Sequence, residues 1–121
     1  MKIIQNIGAQ GDVILRRIDH LPAGLVPVAP EHGRLVVAHS ETGHHHALDA
    51  REAQMFDRIE RDPLRAYLSV TGEFVDLIHH RSHHTHETLR LPRGTYEVIR
   101  QRENGRTGER VGPWAGRRAA D

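Results

Sequence analysis

Eight histidines stand in two groups, His44-His45-His46 and, about forty residues later, His79-His80 with His83-His84 and His86. Neutral imidazole is a good ligand for zinc and for neighbouring divalent transition metals, and spacing decides which rings can share an ion. On an extended strand, residues two apart project to the same side, so His44 and His46 converge while His45 faces the other way. In the second group, His83 and His86 can converge across a turn or bulge, and His84 and His86 can do so on a regular strand. Two rings supply half a tetrahedral shell, and the second group can supply the rest. A closed shell of four histidines is structural, whereas three histidines and a metal-bound water open hydrolase or lyase chemistry. Glu41 and Glu87 are the only acids placed to orient a ligand imidazole or act as a base. The remaining histidines carry less. His39 shares a strand face with Leu35 and Val37, and His79 shares one with Val75 and Leu77, the usual setting of a hydrogen-bonded core histidine. His20 and His32 fall in proline-flanked loops and are expected to be exposed.

The elements that must position these rings read mostly as β-strands. Gly11-Asp12 opens a strand over Val13–Ile18, and Leu21-Pro22-Ala23-Gly24 closes it. Leu25–Glu31 holds two more prolines and is expected to be extended but excluded from a central strand. Arg34–His39 is a good strand, and a run from His44 can pair back on it across Glu41-Thr42-Gly43. Leu64–Val70 and Phe74–His79 flank Thr71-Gly72-Glu73 and read as neighbours joined by a turn. Leu89–Leu91 and Thr95–Arg100, separated by Pro92-Arg93-Gly94, read as a hairpin. Residues 50–61 leave two alternatives open. Asp49 and Glu52 fit a capping box ahead of a helix carrying Met55, Phe56 and Ile59 on one stripe; alternatively Met55–Ile59 is a strand that turns at Arg61-Asp62-Pro63.

Composition narrows the function classes. Among 121 residues there is no cysteine, which excludes a disulfide framework and a thiolate metal site. A formal net charge of +1 argues against a polybasic nucleic-acid binder, and protonation of the eleven histidines would make the chain strongly cationic. A pH-responsive interaction module without metal is thus a further reading. Ser40, Ser69 and Ser82 stand in no Gly-x-Ser-x-Gly context, and no glycine-rich phosphate loop is present. Residues 87–121 carry eight arginines against five acids, yet one tryptophan there offers few platforms for stacked bases, so nucleic acid is not expected as a partner. No apolar run approaches the roughly 20 residues of a membrane span, and Met1–Gln5 is too short for a signal peptide. A cytoplasmic location is the expectation. Aromatic residues make up 4% of the chain, so the core is lean, and self-association into a homo-oligomer, with or without another protein partner, is expected.

A His-x-His beside a turn, followed by Pro92-Arg93-Gly94, resembles the small metal-binding β-barrels of the cupin superfamily. Glu97 stands where the second motif of that family carries its histidine, and Ala50 and Arg51 stand near the place of its glutamate. A second resemblance covers most of residues 8–103. Gly11-Asp12-Val13, Ala38-His39, Thr42-Gly43-His44-x-His46, His83-x-x-His86, Leu91-Pro92-x-Gly94-Thr95-Tyr96-x-Val98 and Gln101-Arg102-Glu103 are similar to a pattern in small, uncharacterised, histidine-bearing proteins of bacteria and their phages. This resemblance implies the strand alternative for residues 55–70. It also implies that His44, His46, His83 and His86 form the metal set, ahead of His45, His79, His80 and His84. The expectation is an all-β, jelly-roll or cupin-like sandwich or barrel over residues 1–103 with a flexible basic tail over 104–121. It binds zinc or another divalent transition metal as a structural or interaction module, with a metal-dependent hydrolase or lyase as the alternative.

Overall fold

The computed structural model describes residues 1–39, 45–79 and 87–101, and within them the chain is all β. Nine strands follow in order: β1 (Lys2–Ile3), β2 (Ile7–Gln10), β3 (Val13–Ile18), β4 (Leu25–Pro27), β5 (Arg34–Ala38), β6 (His46–Asp49), β7 (Ala53–Arg58), β8 (Arg65–His79) and β9 (Leu89–Arg100). The main path of the sheet runs β2-β3-β9-β8-β6-β5, with β7 on β8, β4 on β7 and β1 parallel to β9. Every other ladder is antiparallel. The path does not close: β2 and β5 stand at its two ends, and a barrel in the strict sense is not formed. It does fold over on itself, because Arg100 at the end of β9 donates from Nε to the Val37 carbonyl of β5 at 2.6 Å.

The two longest strands correct two expected turns. Thr71-Gly72-Glu73 lies inside β8 and Pro92-Arg93-Gly94 inside β9. The two segments oppose each other, since Val70 pairs with Gly94 and Phe74 with Pro92, so that three residues of β8 face one of β9. Such a bulge shifts the alternation of the strand by one residue. Ala66, Leu68 and Val70 point inward before it, and Val75 and Leu77 after it. Across from them, β9 buries Leu89 and Leu91, then Tyr96 and Val98. The turn-forming residues therefore keep both halves of one long hairpin facing one core. Gly94 adopts φ 148°, a conformation closed to other residues.

Residues 50–61 are not helical. β7 pairs with β8 from Ala53↔Val70 to Phe56↔Tyr67, which buries Ala53 and Met55. The side chain of Asp49 accepts the backbone N–H of Arg51 at 2.8 Å, closing a turn two residues on rather than capping a helix. Packing decided this, because a helix here would have left the open side of β8 without a partner. Among the described residues β4 meets only β7, the edge position that suits Pro27. Leu15, Val37, Leu68, Leu77, Leu91, Tyr96 and Val98 are wholly enclosed in the single core. Each such leucine contributes about 1.5–3 kcal/mol relative to exposure.

Candidate metal centre

Of the four expected ligands, His46 is described, while His44, His83 and His86 lie outside the described residues, as do Glu41 and the tail over 104–121. His46 opens β6, where β6 meets the end of β8 through two register pairs, His46↔His79 and Ala47↔Ile78. The two imidazoles lie face to face, with centroids 4.1 Å apart and planes 3° from parallel. His79 is 6% exposed and shares its buried face with Val75 and Leu77, as the alternation of β8 requires.

A buried polar residue supports this pair. Gln10, the last residue of β2, is 1% exposed. Its Nε2 donates to the Leu77 carbonyl at 2.8 Å and to the Glu87 carbonyl at 2.9 Å. Its Oε1 lies 2.8 Å from Nδ1 of His46. One amide thus joins β2, the end of β8, the approach to β9 and the start of β6. No motif in the sequence marks Gln10. Its one signal is the alternation Gly8, Gln10 opposite Ile7, Ala9, and there the inward set is the less apolar of the two.

The other candidates fall elsewhere. His39 is exposed and does not join Leu35 and Val37, because a register shift between Val36 and Ala38 ends the alternation. Its Nε2 lies 3.4 Å from Glu31 Oε2, and its ring meets His45 edge-on at 4.9 Å. His20 and His32 are exposed as expected. The carboxylate of Glu87 pairs with the Met1 amino terminus at 2.9 Å. Glu97, at the position the cupin comparison singles out, is buried on the face of β9 opposite Tyr96 and Val98. Arg16 Nε donates to its Oε1 at 3.0 Å and Arg65 Nη1 to its Oε2 at 2.5 Å. Burial pushes this carboxyl up, but the two guanidiniums outweigh burial and hold it below its ordinary value. Both of its oxygens are committed to arginine, a structural role.

Among the described residues, no three histidine, aspartate or glutamate side chains gather closely enough to hold a metal ion. A groove of about 570 Å³ between the β6–β7 connection and β8 is lined by residues including Leu48, Phe74, Val75 and Ile78, and none of its described lining residues is a histidine. No described helix is long and apolar enough to cross a membrane. No curated protein and no solved structure matches the chain. A family profile does match it over residues 9–101, more than three quarters of its length, and the chain belongs to that family, the domain of unknown function DUF8820.

Proposed function

We propose that this domain binds a divalent transition metal, zinc in the first instance, through His44, His46, His83 and His86, and serves as a structural or interaction module. The observation that carries the reading is the register pair His46↔His79. Residues 40–44 lead into β6 two residues before His46, and residues 80–86 leave β8 immediately after His79. Both histidine-bearing connections are therefore tethered to one corner of the sheet. Covalent reach alone keeps the His44 Cα within about 8 Å of that of His46, and the His83 Cα within about 15 Å of that of His79. An ion held by both connections would join two hairpin ends that the described residues link by two β6–β8 register pairs and the Gln10 amide. That contribution suits a chain with a lean core.

Self-association is the second part of the reading. Among the described residues β2 pairs on one side only, with β3, and the nearby Ile3 and Ile7 are 55% and 59% exposed. An edge strand flanked by exposed isoleucines favours a partner copy.

Elemental analysis of protein purified without a histidine tag or a nickel column tests the metal. One equivalent of metal in the wild type, lost in both His44→Ala and His86→Ala, is the expected result, and a metal-free wild type that takes up no added zinc overturns the reading. Sedimentation of Ile7→Lys against the wild type tests self-association.

A further inference from the structure

We propose that Gln10 is the positioning residue of this corner: it holds His46 as the Nδ1–H tautomer and so makes Nε2 the nitrogen that His46 offers to a metal ion. The choice of a metal as ligand rests on the reading above, whereas the tautomer follows from the described residues alone. A side-chain amide has two N–H donors on one side and a carbonyl on the other. Both donors of Gln10 meet backbone carbonyls, those of Leu77 and Glu87, and a carbonyl can only accept. Turning the amide over would set its oxygen against two other oxygens in a place that is 1% exposed. The orientation of the amide is therefore dictated by its neighbours.

With Nε2 of Gln10 so committed, Oε1 can only accept, and the His46 Nδ1 that lies 2.8 Å away must carry the proton. A neutral imidazole has one N–H, so its lone pair resides on Nε2. The stack on His79 restrains the other freedom, rotation of the ring about its own bond, because the ring lies face to face with a buried neighbour. Fixing the distal nitrogen of a ligand imidazole through an acceptor on the proximal one is the ordinary way in which a second residue tunes a metal ligand. The same stack keeps His79 out of a shared shell. A metal binds in the plane of an imidazole along the lone pair, and two planes 3° from parallel, with centroids 4.1 Å apart, do not share such a point.

The test begins without metal. Long-range ¹H–¹⁵N correlation spectra of the untagged wild type, at about pH 8 where an ordinary imidazole is neutral, report which nitrogen of His46 is protonated. The expected result is a protonated Nδ1 and a lone-pair Nε2, and a protonated Nε2 overturns the proposal. Gln10→Leu removes the acceptor and should give a mixture of tautomers. If this variant does not fold, the wild-type spectrum still decides the question. If it folds and keeps a pure Nδ1–H tautomer, Gln10 is not the cause. Zinc is then titrated into both proteins. A shift of the Nε2 resonance in the wild type, with affinity about 10–100-fold weaker in Gln10→Leu, supports the whole assignment. A wild type in the expected tautomer whose histidine resonances ignore zinc overturns the metal reading and leaves the role of Gln10 in fixing the tautomer standing.

Discussion

His46 and His79 occupy opposed positions on β6 and β8, with their rings stacked at 4.1 Å and parallel to within 3°. Parallel rings can pack on one another but cannot converge on an ion, so the proposed metal set takes His46 and leaves out His79. His46→Phe should weaken zinc binding about tenfold or more. His79→Phe, which keeps a flat ring in the stack, should change it by less than about threefold. Isothermal titration with zinc distinguishes the two, and equal losses in both variants would put His79 in the shell.

Glu97 links the fold to pH. Its folded pKa lies below its unfolded value near 4.5, so the stability it contributes is present above that value and is lost as pH falls through the folded pKa. Glu97→Gln should cost about 1–3 kcal/mol at pH 7, at the lower end because Arg16 and Arg65 are about half exposed. The cost should shrink on acidification. Urea unfolding of both proteins at about pH 7 and pH 3 measures it, and a difference that is the same at both would contradict the assignment.

Gly94 cannot accept a side chain on two grounds. Its φ of 148° is strained for any other residue, and a Cβ there would lie 2.6 Å from Nη2 of Arg17. That guanidinium cannot easily yield, because it donates to the Tyr96 hydroxyl at 3.0 Å and to the Arg93 carbonyl at 2.6 Å. Gly94→Ala should destabilise the domain by about 1–3 kcal/mol. Combining it with Arg17→Ala removes the contact but not the backbone strain. The double-mutant cycle should therefore recover only part of the loss, and full recovery would mean that the contact was the whole effect.

Tyr96 is fully buried, and its hydroxyl donates to the Pro92 carbonyl at 2.5 Å, within the part of β9 that faces the β8 bulge. Burial pushes its phenol above the ordinary value of 10.0, against the pull of Arg17. Tyr96→Phe keeps the ring in the core but strips partners from Pro92 and Arg17, for a cost of about 1–2 kcal/mol in thermal or urea unfolding. In an alkaline absorbance titration, Tyr96, read as the difference between the wild type and Tyr96→Phe, should ionise above the ordinary phenol value. A Tyr96 that ionises at or below that value in the folded state would sink this account.

Strand identity was legible in the sequence wherever alternation ran without interruption. Val13–Ile18 and Arg34–Ala38 are strands in the fold as in the pattern, and the burial of His79 beside Val75 and Leu77 follows from a period of two. Strand continuity was not legible. Thr71-Gly72-Glu73 and Pro92-Arg93-Gly94 have the composition of turns, and either segment considered alone favours one. Only their opposition in the β8–β9 ladder makes each the counterpart of the other's irregularity.

By itself, then, the sequence determined a mostly β chain, with a run opening at His44 and a strand closing at His79, because side-chain periodicity and turn chemistry are local properties of the backbone. Tertiary structure decided which strand ends meet. It brought His46 against His79 across a two-pair ladder, and it enclosed Gln10 where its amide joins three segments of the chain. The physical reason is that register is set by burial of a whole face, Leu77 and Leu89 and Val98 together, and a polar side chain in the last buried row must satisfy its hydrogen bonds with whatever the register places beside it. No local pattern around residue 10 contains that information.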